Sequence, residues 1–273
     1  MAVQPVRVGI VGCGVIAPTH IESYQQLDGV EVRWACDKDQ PRADRLAERF
    51  NIPNTTDDLN ELLDDAAVDL VSICTDHAAH ADQVVLAFEA RKHVLCEKAL
   101  GASEDDLAKM VNAHAAHDSC LFGGVFQHRF DGVNRCLKQM IDEGAFGTVL
   151  TATMQLRCYR APGYYQDYWH GTWEREGGSV LINQAIHFVD TVTWLMGGVA
   201  SIAAHYDNRG HVGQIETEDV LTASVRYAGG ALGTLEAISA SNLNWEHTIA
   251  IHGTEGSVDI RDGKPVKVKF TDD

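Results

Sequence analysis

Two clusters in the sequence hold side chains of the kind that move protons. The first is Cys96-Glu97-Lys98-Ala99, directly after the short run His93-Val-Leu-Cys96. If that run is a strand of an open parallel sheet, Lys98 stands outside its carboxyl end, where such sheets bind ligands. A lysine there can hydrogen-bond a substrate hydroxyl or carbonyl and exchange its proton, because partial desolvation brings its pKa down. The plainer alternative is a solvated lysine paired with Glu97. The second cluster is Gly177-Gly178-Ser179, then Asn183, His187 and Asp190. On an α-helix, Asn183 and His187 are four apart and share a face, and Asp190 falls on the same side. Amide, imidazole and carboxylate on one stripe can bind a polyol and move one proton, with the imidazole as carrier. The plainer alternative is a polar helix face that meets solvent.

Something must bring a redox group to such side chains, and the N-terminal stretch supplies a candidate. Val6, Val8, Ile10 and Val11 form an apolar, β-branched run that suits a buried parallel strand. It ends in Gly12-x-Gly14-x-x-Ala17, after which the pattern turns helical. Gly12 allows a tight turn, Gly14 lets a pyrophosphate approach the backbone, and Ala17 lets the helix pack on the sheet. The helix then points its unpaired N–H groups at the phosphates. Val15 and Ile16 complete the turn and belong to the expected cofactor contacts. The next strand-like run ends at Asp37, placed to accept hydrogen bonds from an adenine-ribose 2′-hydroxyl. An acid there repels a 2′-phosphate and favours NAD. Lys38 and Arg42 lie just beyond and could accommodate that phosphate, so NADP stays an alternative.

The chain has 273 residues, enough for two domains, and a formal net charge of −17. So acidic a surface disfavours nucleic acid and anionic membranes. No apolar run has the length of a bilayer span, and the N-terminus has no signal-peptide character, so a cytoplasmic location is expected. Cys13, Cys36, Cys74, Cys96, Cys120, Cys136 and Cys158 include no Cys-x-x-Cys pair, which suits buried thiols in a reducing compartment. His77-Ala-Ala-His80 and His114-Ala-Ala-His117 have metal-edge spacing but no regularly spaced third ligand, so no metal is expected.

Strand and helix alternate through the first half. Helices are expected over 17–27, 41–50, 57–65 (with Thr56 as N-cap), 79–90 and 104–117, the last behind a Ser103–Asp106 capping box. After the opening strand, strands are expected at 30–37, 70–75 (the third), 93–96 and 120–125. Such units argue for a doubly wound parallel sheet. After a helix at 133–143 the chain reads as strands: 149–157, 201–207, 220–227, 231–240, 248–252 and 257–262. One amphipathic helix interrupts them at 180–196, and Gly229-Gly230 marks a hairpin. The expected class is α/β: a Rossmann domain over 1–125, then a C-terminal α+β domain over 126–273 with an open-faced, mainly antiparallel sheet. An uncovered sheet face would be an apolar liability in a single chain, so a homodimer or homotetramer through that sheet is expected.

Taken together, Gly12-x-Gly14-x-x-Ala17, Asp37, Glu97-Lys98 and Gly177-Gly178…Asn183…His187…Asp190 resemble the glucose–fructose oxidoreductase, inositol dehydrogenase and rhizopine-catabolism family. The likeness runs from about residue 6 to about 260. It implies NAD(P)-dependent oxidation or reduction of a sugar, cyclitol or nucleotide sugar. The family's Glu-Lys-Pro lysine falls on Lys98, its histidine on His187, and the acid four residues before that histidine on Asn183. The resemblance puts Thr75, Asp76, His77, His80 and Glu97 beside the cofactor, with Asp76-His77 in place of a usual Pro-Asn. It also implies that Lys98 and His187 handle the hydroxyl proton, while Asn183, unable to act as a base, orients the substrate or His187. Asn183 followed by Gln184 resembles a branch acting on nucleotide-linked sugars, and Tyr164-Tyr165 and Trp169–Trp173 add to that likeness; such rings can stack on sugar faces, the plainer alternative being core or lid packing.

Three departures bear on this. Ala99 replaces the proline, His170 replaces an arginine common in that branch, and family members usually run on for tens of residues past Gly253–Ser257. Two rivals remain at this stage: a non-catalytic dinucleotide sensor on the same fold, and an NAD-dependent glycosidase in which hydride removal is transient.

Overall fold

The computed structural model describes residues 5–271 and divides into two compact units, Met1–Val125 and Phe126–Asp273. The first is built from β1 (Val6–Val11), α1 (Ala17–Gln25), β2 (Val30–Cys36), α2 (Gln40–Phe50), β3 (Asn54–Thr56) and α3 (Leu59–Asp64). It continues with β4 (Leu70–Ile73), α4 (His77–Glu89), β5 (His93–Cys96), α5 (Glu104–Ala116) and β6 (Phe122–Gly124). The strands form one six-stranded sheet in the order β3-β2-β1-β4-β5-β6, every neighbour parallel. The order reverses between β1 and β4, which is the switch point of a Rossmann sheet.

β1 shows why the sheet needs two cores. Val8 and Ile10 enter one apolar cluster with Ile21, Ala43 and Leu46, while Val11 enters another with Leu62, Val84, Phe88 and Met110. Successive strand residues point to opposite faces, so these two clusters line the two sides. The Ser103–Asp106 capping box is present at the start of α5. The start of α3 differs from expectation. Its N-cap is Asp58, whose carboxylate accepts from Asn60 N. Thr56 is instead the last residue of β3, paired with Cys36. Its hydroxyl bonds Glu61 and the Asp58 amide, so it cannot also cap.

The second unit contains α6 (Gly132–Asp142), β7 (Val149–Arg157), a π-helical turn (Val180–Ala185), α7 (Ile186–Leu195), β8 (Val199–Asp207) and β9 (Val220–Tyr227). β10 (Leu232–Ile238), β11 (Thr248–Gly253), β12 (Gly256–Arg261) and β13 (Lys264–Phe270) follow. They make a seven-stranded sheet, β13-β12-β11-β7-β10-β9-β8, antiparallel except for the β7–β10 pair. Met154, Leu156, Leu221, Val225, Leu235 and Ile251 face one way and pack with Leu137, Val192 and Leu195 from the helices.

The other sheet face carries Thr151, Thr153, Thr222, Ser224, Thr234 and a two-bond Arg157–Glu236 pair. It is therefore polar, not the apolar surface expected above. Exposed apolar side chains gather on the edge strand β8, at Val199, Ile202 and Tyr206. β13, outside the strands read from the sequence, is joined to β12 by Asp262-Gly263, both with positive φ, the two-residue turn that matches strand twist. Among the described residues no helix is long and apolar enough to cross a membrane.

Candidate active site

At the mouth of β1, Gly12 is dictated by the fold itself. Its φ is +87°, and a Cβ would stand 2.8 Å from the Cys74 backbone and the Thr75 side chain. Gly14 is different: a Cβ there meets nothing within 4 Å, and its φ is not in the left-handed region. Protein packing does not ask for glycine at 14, whereas a ligand lying against the backbone does. Val15 beside it is 99% exposed, and the N-terminus of α1 has no side-chain cap. Open backbone, uncapped N–H groups and uncovered apolar side chains fit a pyrophosphate and its flanking sugar.

Asp37 is buried under this turn. One carboxylate oxygen accepts from Cys13 N at 2.8 Å and the other from Asp39 N at 2.9 Å. A carboxylate has about four acceptor sites, so acceptor capacity remains for ribose hydroxyls. Arg42 lies 3.8 Å from Asp37 and 3.7 Å from Asp39, drawn toward the carboxylates, and Lys38 is exposed.

Lys98 follows β5, half-buried, and its main chain is braced from two directions. Glu97 accepts from Lys98 N at 3.0 Å with one oxygen and contacts His20 Nε2 at 2.8 Å with the other. His20 Nδ1 in turn lies 2.8 Å from Ser72 Oγ, which also accepts from the Tyr24 hydroxyl. Burial alone would raise the Glu97 carboxyl, but the His20 hydrogen bond and charge and the Lys98 amide outweigh it and hold it below the usual range. On the far side, His80 contacts the carbonyls of Ala99 (2.8 Å) and Thr75 (3.1 Å). Burial lowers the His80 pKa, against the pull of the two carbonyls, which favour a protonated ring. The Lys98–Ala99 peptide is cis.

Of the other residues expected near the cofactor, Thr75 donates to Gln83, Asp76 precedes α4, and His77 is buried at its first turn, its ring 6.0 Å from that of His80. Among the described residues no cluster of three or more His, Cys, Asp or Glu is disposed to hold a metal ion.

In the second unit the stretch expected as one α-helix begins with the π turn, so Asn183 and His187 do not share a regular α-helical face. Asn183 lies in the π turn and is buried. Its Nδ2 donates to Glu176 at 2.5 Å and to the Tyr164 hydroxyl at 3.2 Å. His187 lies in the first turn of α7, edge-on to His128 at 5.5 Å. Asp190, expected on the same stripe, is held by Arg129 through two hydrogen bonds and forms its own ion pair.

The start of the π turn is fixed by Glu218, which accepts from Ser179 N and Leu181 N at 3.0–3.2 Å. Tyr165 is buried with its hydroxyl 3.2 Å from Ser239, so the tyrosine that reaches Asn183 is its neighbour, Tyr164. Trp169 lies against His170, ring centroids 3.8 Å apart and planes tilted by 32°.

Sequence reasoning passed over His20 and Glu176, and it named Tyr164 and Gln184 only as marks of a nucleotide-sugar branch, without a role in the site. Only His20 left a usable signal: with Ala17 and Ile21 it forms the buried stripe of α1. Glu176 sits in a loop, where no periodicity marks which way a side chain turns.

Comparison with known proteins agrees with this geometry. Residues 6–125 match the NAD-binding Rossmann fold of an oxidoreductase family, and residues 134–259 match the GFO/IDH/MocA C-terminal domain. The chain is similar to myo-inositol 2-dehydrogenase of Thermotoga maritima, 26% identical over 273 residues that cover 98% of this chain and 78% of that protein. It is similar to D-glucoside 3-dehydrogenase of Escherichia coli, 28% identical over 94% of this chain and 74% of the relative. Among solved structures, the WlbA dehydrogenase of Bordetella pertussis, in complex with NADH and UDP-GlcNAcA, superimposes with a TM-score of 0.92. It is 27% identical, over 98% of this chain and 82% of that one. With a dinucleotide cradle at β1, a braced lysine after β5 and both domains matched, the chain belongs to the glucose–fructose oxidoreductase, inositol dehydrogenase and rhizopine-catabolism family of NAD-dependent oxidoreductases.

Proposed function

We propose that this protein transfers a hydride between NAD and a hydroxyl-bearing or carbonyl carbon of a sugar, cyclitol or nucleotide sugar, with Lys98, Asn183 and His187 carrying the protein's share of the chemistry. Bound NAD supplies the two-electron redox step. Lys98 and His187 exchange the hydroxyl proton and polarise the carbonyl, and Asn183 orients the substrate. Asp37 selects a free ribose hydroxyl, and hence NAD. The observation that carries this reading is the pair of clamps on Lys98. A buried carboxylate grips its amide, and a buried imidazole grips the next carbonyl. Buried polar groups fully hydrogen-bonded around one short segment fix where that side chain starts.

Self-association through the second sheet is supported by its edge strand β8, exposed along its whole length with Val199, Ile202 and Tyr206 uncovered. We place the protein in a reducing compartment such as the cytoplasm, because all seven cysteines are free and all but Cys136 are buried.

The test is NADH formation across inositols, D-glucosides, levoglucosan and nucleotide sugars, in wild type and Lys98→Met. General acid–base groups contribute about 10²–10⁴ in rate, so turnover should fall by roughly that factor with NADH affinity kept within a few-fold. Equal turnover in the variant would remove Lys98 from the reaction. NADH binding without turnover of any sugar would turn the reading toward a sensor.

A further inference from the structure

Tyr164 is wired unlike Tyr24 and Tyr227. Its hydroxyl oxygen accepts from Asn183 Nδ2 at 3.2 Å and from Gln184 Nε2 at 2.9 Å. Neither amide can be turned over without loss. Glu176, itself wholly buried, takes the same Asn183 nitrogen at 2.5 Å and Gly171 N at 2.5 Å. Arg160 donates to Gln184 Oε1, which leaves the Gln184 nitrogen facing Tyr164. The orientations of the Gln184 and Asn183 amides toward Tyr164 are therefore set. Both acceptor sites of the phenol are taken.

The phenol's own proton goes to none of the described residues, whereas Tyr227 donates to Ala152 O and Tyr24 to Ser72. Burial, and then the nearby Glu176 charge, push the Tyr164 pKa up to about 12, so that proton stays in place at working pH. The ring is fixed by Tyr165 at 5.0 Å, His170 at 4.4 Å and the Arg160 guanidinium at 5.4 Å, and remains half-buried, not sealed.

We propose that the Tyr164 hydroxyl is a hydrogen-bond donor to a substrate hydroxyl or carbonyl oxygen, aimed by the Asn183 and Gln184 amides and, behind them, by Glu176 and Arg160. This rests on the oxidoreductase reading above. It names one atom that sets specificity: a neutral donor, next to Asn183, for an uncharged oxygen. A substrate lacking the contacted oxygen leaves a donor without its acceptor.

The experiment uses full-length protein with NAD and whichever of myo-inositol, methyl D-glucoside, levoglucosan and a UDP-sugar the wild type turns over, together with that compound's monodeoxy analogues. Tyr164→Phe should raise KM about tenfold, the size of one neutral hydrogen bond, with NADH affinity unchanged. One analogue should lose a similar factor in wild type and lose nothing further in Tyr164→Phe, because the same bond is removed from either side. Factors that simply multiply for every analogue, or an unchanged KM, would overturn the assignment.

A fluorinated tyrosine at 164 keeps the shape if Tyr164→Phe folds poorly. It should introduce a rise in KM as pH passes its lowered phenol pKa, and absence of that rise also overturns the assignment. A wild type that binds NADH and converts none of the compounds sinks the oxidoreductase reading and this inference together. A wild type that converts one of them without needing the phenol sinks the inference alone.

Discussion

His20 Nε2 and the Glu97 carboxylate meet at 2.8 Å across 77 residues of chain, both buried, joining the first helix to the end of the fifth strand. Through Glu97 the contact reaches the Lys98 amide, so α1, which follows the glycine turn, and the lysine's backbone share one hydrogen-bonded unit. His20→Ala leaves a buried carboxylate short of a donor. We expect a stability loss of about 1–3 kcal/mol in urea denaturation. We also expect kcat to fall more than NADH affinity, with His20→Gln recovering part of both. Equal kcat in His20→Ala and wild type would reduce the pair to a packing feature.

Two glycines of one turn should respond in opposite ways. Gly14→Ala meets no protein atom and needs no strained φ, so stability should change by less than about 0.5 kcal/mol. The added methyl occupies space kept for the ligand, and NADH affinity should drop at least tenfold. Gly12→Ala combines a left-handed φ with a 2.8 Å approach to the Cys74 backbone, and should lose about 1–3 kcal/mol before any ligand is added. Melting curves with and without NADH separate the two. A Gly14→Ala protein that binds NADH normally contradicts the cradle.

Cofactor choice should turn on Asp37. Replacing it by Ser removes the charge that opposes a 2′-phosphate and releases Arg42 from its 3.8 Å attraction. The ratio of NADPH to NADH affinity should rise at least tenfold, read by fluorescence titration. Absolute affinity for NADH should fall, because the carboxylate also holds the Cys13 amide.

Acid should weaken the protein through specific carboxylates. Asp219 is wholly buried. Burial alone would raise its pKa, but the amides of Arg209, Gly210 and His211 and the His211 ring outweigh that and lower it. Glu97 is lowered as well. A carboxyl lowered on folding stabilises fully above its unfolded value, about 3.9 for Asp and 4.3 for Glu, and loses that contribution as pH falls through the folded value. Urea midpoints should therefore fall as pH drops through and below the ordinary carboxylate range. Asp219→Asn should cost about 2–3 kcal/mol at neutral pH and flatten the acid slope. An unaltered slope would place the acid sensitivity elsewhere.

The alternating first half could be read because buried parallel strands are apolar runs and their helices carry stripes. What escaped was short or long-range. β3 has three residues, too few for a period. β13 reads Lys-Val-Lys-Phe over 267–270, and its signal was the Asp262-Gly263 turn, not its hydrophobicity. The π turn is invisible to a count of 3.6 residues, so Asn183 and His187 were expected on one α-helical face. Glu176 and Tyr164 matter only through partners 7 and 19 residues away around irregular chain, a contact that no spacing rule encodes.

The wide turn over Val180–Ala185 also sets a rule about length. It closes on an i→i+5 ladder, so it carries one residue more than an α turn in the same place. Excising a residue would let the ladder tighten to the ordinary helix and gain stability, yet would swing what precedes it by about 100° relative to His187. Asn183 would then leave Glu176, and Tyr164 would lose one of its two guides. Lineages of this protein should accept exchanges of side chain in the stretch far more readily than a gap.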